Sequence, residues 1–174
     1  EQYPEIKLDI FGSESMPDLS RREADFSIRG LKSGSRPPKD VVGSKLGRLS
    51  YSTYVHKDLL ASTIEKGRDL TYLKPSDEAM REHKILQKAD EQELEIRHNF
   101  MNARHTLSSI APAAAAVRAK LGASLLPCYV FSNDKNIVRP PNAKAMLWGH
   151  IWLMHHKDLR QSSRIRALFT HLSK

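Results

Sequence analysis

Eight histidines are the residues of this 174-residue chain whose type best suits metal or acid–base chemistry. Their spacing argues against both. His155, His156 and Asp158 form the densest cluster, but adjacent residues of an extended chain point to opposite faces, so the two imidazoles are badly placed to hold one ion. His98 and His105 lie seven apart and would share a helix face only if a helix began early, with no Cys or carboxylate to complete a ligand set. Cys128 is the single cysteine, which excludes an internal disulfide and any Cys-rich zinc site, and its place in the apolar run 125–130 predicts a packed thiol. There is no Gly-rich phosphate loop, nucleophile elbow or zinc signature. We therefore assign no catalytic residue, no metal and no cofactor, and expect a binding protein rather than an enzyme. A hydrolase using a serine and a histidine is a distant rival.

The charge balance, 28 Lys and Arg against 20 Asp and Glu, gives +8 and favours an anionic partner: nucleic acid, an acidic lipid surface or a small carboxylate. Basic clusters at Arg21 and Arg22, at 36–45 and at 160–166 could touch phosphates, so a basic nucleic-acid-binding protein without effector is the alternative reading. Aromatic residues do not interleave with these clusters, which leaves a single-strand groove unsupported. Arg160 and Arg164 follow helical spacing and suit a solvated face. An apolar content of 40% is enough for one domain or two small interleaved lobes. No run approaches the roughly 20 apolar residues needed to cross a bilayer, and the acidic, Pro-containing start is no signal peptide, so a cytoplasmic protein with no membrane partner is expected.

Several elements can be placed to carry such residues. Residues 5–11 alternate polar with apolar, setting Ile6, Leu8 and Ile10 on one face of a strand, and 24–29 repeat the period through Ala24, Phe26 and Ile28. A loop over 30–40, an extended segment over 49–55 and a short helix over 56–61 follow. Residues 64–89 show no clean period and are assigned a loop and one helix over 77–89. A strand over 93–98 runs into a helix over 101–121, which Pro112 should split and Gly122 should end. The tail gives strands over 123–131 and 149–155 and a helix over 158–173 with Asp158 or Ser162 as its cap. No internal repeat stands out. Strands alternating with helices predict an α/β fold with parallel pairs.

Asn99 and Phe100 stand where the strand meets the helix. Asn99 can cap the helix while the free first-turn amides face an anionic group; a plain cap beside a core phenylalanine is the equal alternative. Ser108 and Ser109 offer a second register for the same start. Arg29, between Ile28 and Gly30 at a strand end, suits bidentate pairing with a carboxylate, or a structural salt bridge with Asp25.

Four segments then carry a resemblance in a consistent order: Tyr3-Pro4-Glu5-Ile6-Lys7-Leu8-Asp9-Ile10; Arg21-Arg22-Glu23-Ala24-Asp25-Phe26-Ser27-Ile28-Arg29 with Pro37-Pro38 beyond it; Ala116-Val117-Arg118-Ala119-Lys120-Leu121-Gly122-Ala123-Ser124-Leu125-Leu126-Pro127-Cys128; and the closing Leu147-Trp148 to Ile151-Trp152-Leu153 with 156–167. Together they resemble the effector-binding (substrate-binding) domain of LysR-type bacterial transcription regulators. The resemblance implies an α/β, two-lobe, periplasmic-binding-protein-like fold with two crossing hinge strands and a small effector in the cleft between lobes. Lobe one would comprise 1–52 and 149–174, and lobe two 53–148.

It also implies a cleft lined by Asn99, Phe100, Ile28, Arg29, Gly30, Thr53, Tyr54, Ser108, Ser109 and Trp152, with Thr53, Tyr54 and Trp152 on the crossings. The expected effector is a small-molecule carboxylate or other anion. DNA would be bound only through a winged helix-turn-helix that this sequence lacks, and the domain would work as a homo-oligomer that pairs through residues 5–11. The match begins after the family's first strand and helix, so those elements of lobe one are expected to be missing. Lys120 stands where the family usually has Gly, and 106–115 read as an insertion.

Overall fold

In the computed structural model, residues 3–12, 18–75, 103, 105–141 and 143–172 are described. The chain divides into two units, Glu1–Leu49 with Gly149–Lys174, and Ser50–Trp148. It passes from one unit to the other twice, within β2 (Val41–His56) and within β7 (Met146–His156).

In the first unit, β1 (Phe26–Lys32) runs antiparallel to β7, with Phe26 opposite His155 and Lys32 opposite Gly149, and β7 lies between β1 and β2. Leu153 and Met154 have no exposed surface, and the buried His155 ring meets Phe169 of α3 (Ser163–Leu172) edge-on at 5.3 Å. Leu19 is buried at a 3-10 turn whose first amides, those of Ser20 and Arg21, donate to the Asp18 carboxylate. That is the ordinary way a short acidic side chain starts a turn.

In the second unit the strand order is β2, β5 (Ala123–Pro127), β3 (Tyr72–Pro75), β4 (His105–Leu107). β5 is antiparallel to β2 and parallel to β3, and β3 is parallel to β4, which meets the expectation of parallel pairs. β6 (Ile137–Val138) pairs antiparallel with Val55 and His56. The core joins Tyr54, Leu73, Leu126, Phe131 and Ile137 to the inner face of α2 (Ile110–Arg118). That face is made of Ala113, Ala114, Ala116 and Val117, whose small side chains let the helix backbone approach the sheet. Burying a side chain such as Leu73 or Leu126 contributes about 1.5–3 kcal/mol. α1 (Lys57–Glu65) follows β2 directly.

Several expectations are corrected. Residues 5–11 form no strand: Leu8, Ile10 and Phe11 are exposed, Ile10 by 86%, because alternation supplies a face but not the partner strand that would pair it. Residues 105–107 are strand, not helix. Pro112 does not split α2 but sits in its first turn, where a missing N–H costs nothing because first-turn amides have no helical acceptor. The stop is Lys120, not Gly122. Its φ of +63° ends α2 in a Schellman arrangement, with Lys120 N–H donating to Val117 O and Leu121 N–H to Ala116 O. Gly122 instead lets β5 approach β3, since a Cβ there would lie 2.7 Å from the Thr71 carbonyl oxygen.

The strand over 123–131 ends at Pro127 and passes into a 3-10 turn, Cys128–Phe131. The helix over 158–173 is two pieces, a 3-10 turn at Lys157–Gln161 and α3, because Ser162 takes extended angles between them. The helix after β2 runs four residues beyond the expected end, to Glu65. The assignments over 77–89 and 93–100 lie outside the described residues. Among the described residues no helix is long and apolar enough to cross a membrane.

Candidate functional site

The expected site residues fall on both units. In the first, Ile28, Arg29 and Gly30 occupy the middle of β1 and stand opposite Leu153, Trp152 and Ile151 of β7. Opposed residues of an antiparallel pair share a face, so Arg29 and Trp152 are brought together there. Trp152 is further hemmed in by Lys45, whose ammonium lies 5.4 Å from its ring centre, and by Gly43, which leaves room for the indole edge. Arg29 is engaged within the fold. Ile28 points the other way and is half exposed.

In the second unit, Thr53 and Tyr54 are buried on β2, opposite Leu125 and Ser124. The Tyr54 ring packs edge-on against Phe131 at 5.3 Å, so it belongs to the core. Its hydroxyl accepts from the Arg139 guanidinium at 3.3 Å, and the same guanidinium donates to Cys128 Sγ at 3.7 Å. Burial and the neighbouring thiol push the phenol up while Arg139 pulls it down, and the upward pressures dominate. The Tyr54 contact in turn raises Arg139. The Cys128 thiol, expected as a packed rather than a reactive group, is half-buried beside this cation. The sequence singled out Tyr54 and Cys128 but not Arg139, which lies 85 residues from one and 11 from the other; nothing in the linear spacing joins them.

Ser108 and Ser109 open α2. Ser108 is exposed, and Ser109 occupies the cap position with extended angles but makes no side-chain cap bond. The amides of Ile110 and Ala111 therefore stand at the helix start without a side-chain cap from Ser109, while Ala113 N–H reaches back to Ser109 O. Of the two registers open in the sequence, α2 follows the one that begins after Ser109. Asn99 and Phe100 lie outside the described residues.

A pair of junctions went unnoticed in the sequence. β2 ends at His56 and β7 at His156, and each is followed by Lys-Asp-Leu. In both, the imidazole Nδ1 accepts the amide two residues on, Asp58 N–H at 3.2 Å and Asp158 N–H at 3.4 Å. In both, the intervening lysine amide donates to a loop carbonyl, Lys57 N–H to Asn136 O at 2.8 Å and Lys157 N–H to Asp40 O at 2.9 Å. The tetrapeptide His-Lys-Asp-Leu at 56–59 and 156–159 was the available signal, too short to stand out as an internal repeat.

Among the described residues no group of three or more His, Cys, Asp or Glu could hold a metal ion. His155 and His156 indeed part company: His155 is buried against Phe169, whereas the His156 ring turns to its own junction.

The fold and these geometries agree with what the chain resembles. No curated protein matches it. Among solved structures, the effector-binding domain of AmpR from Citrobacter freundii is 18% identical with a TM-score of 0.64, the alignment covering 99% of this chain and 84% of that one. The regulatory domain of CrgA, a LysR-type transcriptional regulator from Neisseria meningitidis, is 14% identical with a TM-score of 0.71, covering 99% and 85%. The regulatory domain of AphB from Vibrio vulnificus is 15% identical with a TM-score of 0.63, covering 98% and 84%. At such identities the likeness establishes the fold, α/β and periplasmic-binding-protein-like. The family model for the LysR substrate binding domain matches residues 1–174, and the chain belongs to that family of effector-sensing, non-enzymatic domains of transcription regulators.

Proposed function

We propose that this domain senses a small anionic metabolite, a carboxylate by preference, and that the N-terminus of α2 with Ser108 and Ser109 takes its charged group. The observation that carries the reading is the start of α2, where Ser109 makes no cap bond and the backbone amides of Ile110 and Ala111 precede a proline that can donate nothing. A helix start of this kind favours negative charge through both its free amides and its dipole. The net charge of +8 acts in the same sense at long range. Arg29 and Trp152, paired across β1 and β7, are the companion candidates, and Ile28, Gly30, Thr53, Tyr54, Asn99 and Phe100 complete the set of candidate residues. We take the two units to be the two lobes, so that an effector acts through a difference in affinity between their arrangements, the only way a ligand can shift such an equilibrium.

A thermal-shift screen with aromatic and aliphatic carboxylates against their neutral amides tests this. A binder at 100 times its Kd stabilises by about 2.7 kcal/mol. The expected result is a rise in Tm for carboxylates alone, reduced in Ser109→Pro, which fills the helix start with a ring. If no carboxylate stabilises the domain, the reading fails.

Self-association is the second part of the proposal. Leu8, Ile10 and Phe11 are exposed together on a segment that no strand among the described residues pairs, and a second copy would bury them. Light scattering should then show a dimer that Ile10→Glu converts to monomer. A wild-type monomer at high micromolar concentration would exclude it.

A further inference from the structure

The twin junctions do more than start two helices. An imidazole that accepts at Nδ1 must be neutral and carry its proton on Nε2, because a protonated ring has only donors. Beyond each ring stands a carboxylate oxygen from the same residue whose amide it caps: Asp58 Oδ2 lies 3.7 Å from His56 Nδ1, and Asp158 Oδ2 3.5 Å from His156 Nδ1. Amide and carboxylate of one aspartate thus compete for one nitrogen. The neutral ring takes the amide. The charged ring, now a donor at Nδ1, must release the amide and turn to the carboxylate.

We propose that His56 and His156 are a matched pair of proton-operated caps, one in each unit, which on protonation exchange the Asp58 and Asp158 amides for the Asp58 and Asp158 carboxylates. Their surroundings are built alike. Facing His56 are Asp58 on α1, itself bonded to Lys120, the neighbouring Lys57, and Asp134 on the loop before β6, held by Arg118. Facing His156 are Asp158 on its own turn, the neighbouring Lys157, and Asp40 on the loop before β2, which Lys157 holds. In each case a carboxylate on a separate loop feels the ring, so protonation is registered both at the helix start and on the strand that begins beside it: β6 at Ile137, which pairs with His56, and β2 at Val41. Both rings are largely covered, 11% and 15% exposed in their side chains, so solvent does not readily replace the lost acceptor.

The test is NMR of the intact chain. Long-range ¹H–¹⁵N spectra at pH 8 should show both rings with Nδ1 unprotonated. On lowering the pH to 5 the Asp58 and Asp158 amides should shift with the midpoint of their own ring and lose roughly fivefold in protection relative to the intrinsic exchange rate at each pH, the loss expected for a broken cap. The double variant His56→Asn with His156→Asn keeps an acceptor that does not titrate, and its two amides should be insensitive to pH, while His171→Gln on α3 should leave the response intact. Nδ1 found protonated at pH 8 in either ring overturns the proposal. So do amides that ignore ring titration in the unmodified chain, a result that does not depend on the variants folding.

Discussion

Lys120 Nζ donates to Asp58 Oδ2 at 2.7 Å, tying the residue that ends α2 to the first turn of α1, although Lys120 itself holds a left-handed backbone at φ +63°. Two opposed effects meet in one side chain. The left-handed conformation costs a residue with a Cβ about 1 kcal/mol relative to glycine. The ion pair is half exposed on both sides and solvent screens it, so it returns little. Backbone strain wins. Lys120→Gly should raise stability, and Lys120→Ala, which loses the pair and keeps the strain, should lie about 1 kcal/mol below the glycine variant, about 3 °C in Tm for a chain of this size. Thermal melts of the two variants decide it, and equal values would mean that the turn is not strained.

The charged pairs predict a stability profile with two edges. Lys120, Lys157 and Arg118 hold the Asp58, Asp40 and Asp134 carboxyls below their usual range, mainly through direct hydrogen bonds. A carboxyl depressed in the folded state binds fewer protons than in the unfolded chain, so its contribution is complete above the unfolded value of about 3.9 and is lost as pH falls through the folded one. Lys157 is raised by Asp40, which gives the opposite sense: its contribution is complete below the ordinary lysine value of about 10.4 and is lost as pH rises through the folded value. Asp40→Asn should therefore flatten both edges of a Tm-against-pH curve, and Asp134→Asn the acid edge alone. Identical curves for the two variants would contradict these pairings.

What could be read from the residues depended on whether a pattern carries its own partner. The β1 and β7 strands were legible as an alternating segment and an apolar run that pair in a single ladder, but the face was not: Ser27 is the buried position of β1 and Ile28 is half exposed. Residues 5–11 alternate as well, yet no strand among the described residues pairs with them, and period alone cannot reveal that. Pro112 and Gly122 were read by residue type as breaker and stop; their positions relative to Ser109 and Lys120 decided otherwise. Of the candidate site, the serines that open α2 were visible as residues that begin a helix. The Arg139 contact to Tyr54 and Cys128 was not, because it depends on a tertiary approach that no local rule encodes.

Gly149 and Gly43 make a contrasting pair. A Cβ on Gly149 would fall 2.0 Å from the Leu31 carbonyl oxygen, which belongs to the paired backbone of β1 and cannot move without opening the ladder. A Cβ on Gly43 would meet Met154 Cγ and Trp152 Cε3 at 3.1 Å, side-chain atoms that can give by a few tenths of an ångström. Gly149→Ala should cost about 3 kcal/mol and Gly43→Ala about 1 kcal/mol. Chemical denaturation distinguishes them, and a milder effect at Gly149 than at Gly43 would show that the β1–β7 ladder ends short of Gly149.

Ser27 is the last case, and its sign is unusual for a core substitution. Its hydroxyl is buried on β1 opposite Met154, which has no exposed surface, and finds no hydrogen-bond partner among the described residues. A hydroxyl taken from water without compensation costs about 1–3 kcal/mol, whereas the methylene beneath it gains from burial. Ser27→Ala removes the cost, keeps the methylene, and leaves a void smaller than a methyl group. Stability should hold or rise by about 1 kcal/mol, where an ordinary truncation beneath Met154 would lower it. A clear loss of stability in Ser27→Ala would mean that the hydroxyl has a partner in solution.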